Sequence, residues 1–271
     1  RKWKGLAAER VVAEVTCLVE RYNLERVYFD DNNFFASKRR VREMCKGFLA
    51  SPHKFEWFAT IRPAQVRAFS DEDLRLIRDS GCTKFMMGAE SGDDAILELI
   101  NKGSEASVVL EATRRCREHD IQPSYVFIAG FPTETWQQML VTLDFMKQLK
   151  EIYADTRTTT LFFTPYPGTA LTRLGTEKGF TLPRSLADWA VYDARSVRTP
   201  WITRKQKIKV KQIADFYLPW AFPNQLAREK VARSRFKPFY WFFTLTCKLR
   251  VRLGFYGLPW EWKLARWLKL T

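Results

Sequence analysis

No two of the five cysteines, Cys17, Cys45, Cys82, Cys116 and Cys247, stand closer than 28 positions. That spacing excludes a CxxC-type metal site within the chain. So sparse a set also excludes a disulfide framework and suits a reducing, cytoplasmic compartment. No run of about 18 apolar residues occurs, which excludes a transmembrane helix. No signal peptide is legible, and the first residue is Arg1 rather than methionine, so the N-terminus reads as a cut end. There is no low-complexity linker and no internal repeat beyond a strand–helix rhythm. The last third is short of one charge sign. Residues 181–271 hold 5 Asp and Glu against 19 Lys and Arg, whereas residues 1–180 hold 25 against 26.

What is present fits one large α/β domain with an appendage. Hydrophobic residues make up 46%, enough for a sizeable core. The charge balance divides the chain into an enzyme-like part, 1–180, and a basic, mostly helical extension, 181–271. Strands are expected over Glu25–Asp30, Phe55–Ile61, Lys84–Gly88, Ser124–Ala129 and Thr158–Phe163, at steps of roughly 30 to 40 residues. That is the rhythm of repeated βα units and a parallel sheet. Such strands, buried on both faces, should be continuously apolar. Helices are expected over Leu6–Asn23, where Val11, Val12, Val15, Leu18 and Val19 recur at helical spacing, after Ser37 and Ser70, and over Glu105–His119 and Thr135–Lys150. Cys17, Cys45 and Cys116 fall on helix faces and read as core packing. His53 and His119 read as structural.

With right-handed crossovers all five strand ends share one rim, and in barrels of this class that rim is the active face. Its chemistry is consistent. Asp30, Asp31 and Asn32 accept from an ammonium or hydroxyls. Arg62 forks onto a carboxylate. Glu90, beside Ser91, bridges the vicinal hydroxyls of a ribose. Gly130, Phe131 and Pro132 let backbone approach a flat ring, and Tyr166 closes the last strand end. Together these suit a zwitterionic amino acid joined to a nucleoside. A magnesium site or a solvated turn is the lesser alternative for the same acids, and a neighbouring carboxylate the alternative partner of Arg62.

Four motifs carry a family resemblance. They are VYFDDNNF from Val27, MGAESG from Met87, IAGFPTET from Ile128 and TPYPGT from Thr164. In this order and spacing the chain resembles the radical S-adenosylmethionine superfamily, and within it the class with an upstream cobalamin-binding domain. The resemblance covers roughly residues 1–220. It implies a partial (β/α)6 TIM-like barrel lacking its first strand. It implies S-adenosylmethionine held with its ammonium at Asp30, Asp31 and Asn32, its ribose at Glu90 and Ser91, and its adenine near Gly130, Phe131 and Pro132. It also implies a 4Fe-4S cluster, on three cysteines expected upstream of this chain, and an electron donor. Cobalamin, in a domain likewise upstream, would support methyl transfer or cyclisation of a small-molecule or lipid-like substrate. By that alignment residues 1–271 alone are expected to be inactive. The rival reading is a non-catalytic or hard-cation-binding βα barrel with Asp30, Asp31 and Glu90 as oxygen ligands.

The tail, residues 231–271, interleaves 9 Lys and Arg with 11 aromatics and one acid. That pattern suits the interface of an anionic membrane, with nucleic acid the weaker alternative. A small helical core is the plain alternative to both.

Overall fold

The computed structural model describes residues 4–190, 198–233 and 237–267. In chain order the first elements are α1 (Ala8–Tyr22), β1 (Arg26–Phe29), α2 (Lys38–Ala50), β2 (Glu56–Thr60), α3 (Pro63–Ala68), α4 (Asp71–Asp79) and β3 (Cys82–Glu90). Then come α5 (Asp94–Leu99), α6 (Ala106–Glu118), β4 (Gln122–Ala129), α7 (Trp136–Ile152) and β5 (Arg157–Phe162). The C-terminal part is helical: α8 (Ala170–Glu177), α9 (Leu186–Ala190), α10 (Arg204–Lys211), a π-helical stretch (Gln212–Tyr217), α11 (Leu218–Ala221), α12 (Gln225–Ala232), α13 (Lys237–Leu253) and α14 (Trp260–Trp267).

The five strands form one open parallel sheet in the order β1-β2-β3-β4-β5. Each strand stands beside its predecessor, as successive right-handed βα units require. Burial alternates strictly along β4 and nearly so along the second half of β3. The expectation of strands buried on both faces is therefore corrected. One face is covered and the other stays half-open, so the strands read as alternating rather than continuous.

The chain divides into two compact units. The first comprises Arg1–Gly88 and Ser107–Tyr125. Its core is aromatic. Trp57 is fully buried, its indole N–H donating to Ser80 O at 3.0 Å, with Phe29, Phe34, Phe35 and Phe48 around it. Helix α4 starts on a capping box, with Ser70 Oγ accepting from Asp73 N and the Asp73 carboxylate from Ser70 N. Gly81, at φ 99°, follows it because a Cβ there would stand 2.3 Å from Phe55 O. On α1, Val11, Val15 and Val19 are buried, but Leu18 is exposed, so its place in the apolar stripe is corrected. Cys17 is corrected too: it is exposed, whereas Cys45, Cys82 and Cys116 lie in the core. His119 is structural, with Nε2 3.2 Å from Asp71 Oδ1.

The second unit comprises Ala89–Ala106 and Val126–Thr271. Helix α7 is capped by Thr135, whose Oγ1 accepts from Gln138 N, and it buries Met139, Leu143, Phe145, Met146 and Leu149. An apolar cluster of Ile96, Phe131 and Phe163 underlies the ends of this unit's strands, with Ile128, Leu171 and Trp201 against it. Further along, Trp220 of α11 meets Phe243 of α13 at 5.1 Å between ring centroids. Among the described residues no helix is long and apolar enough to cross a membrane.

Candidate functional site

In the first unit the acidic loop after β1 is pinned at both ends by aromatic side chains. Phe29 and Phe34 meet at 4.5 Å between centroids, and Phe35 packs edge-on against Phe85 at 5.2 Å. Gln65 Nε2 also donates to Phe35 O. Between these anchors Asp30, Asp31 and Asn32 stand exposed at the end of β1. Asp30 Oδ1 accepts from the Tyr28 hydroxyl at 2.9 Å. The Tyr28 phenol is raised above its ordinary range by partial burial and then by this acceptor. Asn33 Oδ1 is buried and finds no hydrogen-bond partner among the described residues. The loop is thus a set of oxygen acceptors, one of them orphaned, which is what an ammonium group requires. Arg62 follows β2 as the N-cap of α3, its N–H donating to Gln65 Oε1, and its side chain is exposed.

In the second unit the end of β3 is strained. Glu90 holds φ 65°, a left-handed conformation that costs a non-glycine residue of order 1–3 kcal/mol. What holds it there is the turn that follows. Ser91, fully buried, meets Thr142 of α7 at 2.9 Å between hydroxyls, and Gly92 N donates to Thr142 Oγ1 at 3.1 Å. Asp93 N donates to Ser91 Oγ, and Asp93 Oδ1 accepts from Ile96 N and Gln138 Nε2. The strand end is therefore stapled to α7, with Glu90 projecting from it. Its Oε1 pairs with Lys102 Nζ at 2.9 Å, and both side chains are partly buried. Lys102 had no reading in the sequence, where only the short α5 turn between it and Asp93 hints that the two lie close.

This stapling makes Gly92 sensitive to any side chain. A Cβ there would stand 2.3 Å from Phe145 Cβ and 2.7 Å from its Cγ. Gly92→Ala is expected to cost about 1–3 kcal/mol, as overpacked cores do. Chemical denaturation of both proteins checks this, and an unchanged unfolding midpoint would refute the close approach.

The segment after β4 is built around a buried carboxylate. Glu134 Oε2 accepts from Gly130 N at 2.5 Å and Phe131 N at 3.0 Å, while its Oε1 is buried without a partner among the described residues. Burial, opposed by those two N–H groups, raises the Glu134 carboxyl to about 7. Gly130, at φ 79°, turns its carbonyl onto the Trp201 indole N–H at 2.7 Å, and Ile202 covers the place a Cβ would take. Gly130, Phe131 and Pro132 are buried in consequence. Neither Glu134 nor Trp201 was singled out from sequence. After β5, Tyr166 is exposed, and its carbonyl is tied down by the hydroxyls of Thr169 and Thr172.

Metal chemistry finds no support in the donor sets. Among the described residues no group of three or more His, Cys, Asp or Glu could hold a metal ion. The hard-cation reading of Asp30, Asp31 and Glu90 therefore lacks its ligand shell. The cysteines do not fit an iron–sulfur cluster either. Cys45 and Cys247 are pushed up to about 12 by burial, and burial raises Cys82 and Cys116 as well. Four buried neutral thiols, with Cys17 exposed on α1, are not a thiolate loop.

The profile of the Radical SAM superfamily matches residues 4–146. An uncharacterized methyltransferase of Pyrococcus horikoshii is 29% identical over 171 residues, covering 63% of this chain and 36% of that protein. An anaerobic magnesium-protoporphyrin IX monomethyl ester cyclase of a Synechocystis strain is 24% identical over 179 residues, covering 65% of this chain and 34% of the cyclase. The chain thus spans about a third of the length of these relatives. Among solved structures, the cobalamin-dependent S-adenosylmethionine radical enzyme OxsB superposes with a TM-score of 0.63 at 14% identity, over 100% of this chain and 46% of that one. The radical S-adenosylmethionine methyltransferase TsrM of Kitasatospora setae gives 0.51 at 19% identity, over 63% and 34%. At such identities these two speak for the fold: an open, partial TIM-like barrel. A profile match over more than half the chain settles the family, and this chain belongs to the radical SAM superfamily.

Proposed function

We propose that this chain supplies the S-adenosylmethionine-binding strands of a radical SAM enzyme that carries out a methyl transfer or a ring-forming step. The observation that carries the reading is Glu90. A carboxylate held in a strained left-handed conformation at the end of a strand, and stapled there by Ser91, Gly92 and Thr142, is a side chain presented to something. Lys102 occupies one of its oxygens and leaves Oε2 for a ribose hydroxyl. On the first unit, taken by itself, the acceptors Asp30, Asp31 and Asn32 suit an ammonium, with the buried Asn33 Oδ1 added by the structure, and the exposed Arg62 suits a carboxylate. The adenine is assigned to the strand end bearing Gly130, Phe131 and Pro132, which is buried here, with Ile202 over Gly130 and Trp201 on its carbonyl, so this end would have to uncover to take a ring.

S-Adenosylmethionine, when bound, supplies a methyl group or a 5′-deoxyadenosyl radical; this chain's own share is to bind and orient it. The choice between methylation and cyclisation rests on the two curated relatives, one of each kind. Cobalamin and the 4Fe-4S cluster enter from the family and from the solved relatives, and no residue of this chain is assigned to either. The five free cysteines fit a reducing, cytoplasmic setting.

Calorimetric titration with S-adenosylmethionine tests the binding role. A charge-assisted hydrogen bond contributes roughly 1.5–3 kcal/mol, about 10- to 150-fold in dissociation constant. Asp30→Ala, Asp31→Ala and Glu90→Ala are each expected to weaken binding within that range. Unchanged affinity in all three would remove these residues from the site, and no binding by the parent protein would remove the reading itself.

A further inference from the structure

Helix α13 buries one face and leaves the opposite face bare. Phe243, Cys247 and Val251 are turned inward, at every fourth position. Trp241, Leu245, Leu249 and Leu253, also four apart, are 68%, 66%, 56% and 67% exposed, and Phe242 beside them is half exposed. Four residues is a little over one helical turn, so these side chains form one continuous stripe. Arg252 lies within the stripe, and Lys248 and Lys237 along its edge; all three are exposed. Beyond the helix, Phe255, Leu258 and Trp267 are exposed as well. A soluble surface rarely shows so much contiguous apolar area without an occupant.

Charge indicates the occupant. Residues 237–267 contain six Lys or Arg and one acid, Glu261. That acid is buried and neutralised by Arg250. The exposed surface of this segment therefore carries cations only: Lys237, Lys248, Arg252, Lys263 and Arg266. Arg266 lies over the Trp262 ring at 4.8 Å, the aromatic–cationic pairing that suits a headgroup layer. The helix is too short and too charged to cross a bilayer, but an apolar face rimmed by bases suits one lying in the interface plane. Aliphatic Leu245, Leu249 and Leu253 at the stripe's centre argue for acyl chains rather than for nucleic acid, whose bases stack on rings.

We infer that the exposed face of α13, with the α13–α14 turn and Trp267, docks this protein on an anionic lipid bilayer, inserting Trp241, Leu245, Leu249 and Leu253 between headgroups. The test is co-sedimentation of the full chain with vesicles of phosphatidylcholine containing phosphatidylglycerol, and with phosphatidylcholine alone. Binding is expected to the anionic vesicles and to be much weaker to the neutral ones. Trp241→Glu with Leu245→Glu, at positions where no core packing is lost, should weaken it by at least about 50-fold, from the apolar surface each side chain would bury. Lys248→Glu with Arg252→Glu should weaken it by at least about 30-fold, each cation near such a surface contributing about 1 kcal/mol. Binding unchanged in both double variants overturns the inference, as does equal binding to neutral vesicles or no pelleting at all. Two further results overturn it in favour of another occupant. One is a dimer in light scattering that the first double variant dissociates, without vesicle binding. The other is RNA binding in fluorescence anisotropy that the same variant abolishes.

Discussion

Arg250→Ala is expected to destabilise the protein by about 3–5 kcal/mol, the range for stripping one partner from a buried ion pair. Arg250 sits near the end of α13 with only 11% of its side chain exposed, and Glu261 of α14 with 2%. The guanidinium donates from Nε to Glu261 Oε1 at 2.5 Å. Its other nitrogens close the turn between the helices, reaching Gly257 O at 2.7 Å, Leu258 O at 3.0 Å and Phe255 O at 3.3 Å. Removing it leaves the Glu261 carboxylate and the Gly257 and Phe255 carbonyls without this donor, while Leu258 O keeps Trp260 N. The surroundings offer little relief. Burial, with the Glu261 charge second, already raises Cys247 to about 12 and raises the Tyr217 phenol as well. A paired replacement separates charge from packing. Arg250→Met with Glu261→Leu removes both ions, and much of the loss should be recovered, since well-packed apolar residues often replace a buried pair at little cost. Urea unfolding of Arg250→Met, Glu261→Leu and the double variant measures the coupling. A loss under about 1 kcal/mol in Arg250→Ala, or a double variant no better than the single, would show that the pair does not hold the turn.

Arg250 also shows what the sequence concealed. By composition it is one more cation in a basic tail, yet the fold uses it as the buried centre of the α13–α14 corner. Composition reports how many charges a segment has and says nothing of which face they take. Periodicity did better, because it follows from backbone geometry: the strands, α4 with its Ser70–Asp73 capping box and α6 lie within about three residues of their expected bounds. Where periodicity misled, as at Leu18 and Cys17, the helix repeats its apolar residues more widely than its partners cover. The site was legible to the extent that it lies on local motifs. Asp30, Asp31 and Glu90 close their strands as the sequence suggests. Lys102, 12 positions beyond Glu90, and Trp201, 71 beyond Gly130, were not legible, since their roles are set by tertiary contacts. Glu134 is the instructive intermediate. It lies within a recognised motif, but nothing in the motif says that its carboxylate turns back into the loop and is buried there.

That carboxylate should make stability depend on pH in an unusual direction. Glu134 is 5% exposed, and burial raises it from an ordinary 4.5 to about 7. The two N–H groups of Gly130 and Phe131 pull the other way, while the nearby Asp93 charge adds to the rise. A folded-state value above the unfolded one means that the folded protein holds the proton more tightly between those limits. Its contribution to stability is therefore fullest below about 4.5, falls as pH rises through the window to about 7, and is constant above it. At 1.36 kcal/mol per unit the fall amounts to about 3 kcal/mol. Most paired carboxylates act in the opposite sense and gain stability over the acid end of this range, so the comparison must be with a variant. Glu134→Gln keeps an oxygen for Gly130 N and Phe131 N but cannot ionise. The parent minus the Glu134→Gln protein, each unfolded in urea from pH 4.5 to 8, should show this fall and then a plateau. A difference that is flat across the window would mean that Glu134 is charged throughout, and that the loop bearing Gly130, Phe131 and Pro132 is held by an ionised rather than a protonated acid below neutrality. Glu134→Ala is the complementary case. It leaves both N–H groups buried without an acceptor, so it should cost about 1–3 kcal/mol for each orphaned donor below about 4.5, and about 3 kcal/mol less above about 7, where the parent no longer gains from the proton. A loss that stays the same from pH 4.5 to 8 would contradict the raised carboxyl, and no loss at the acid end would contradict the two hydrogen bonds.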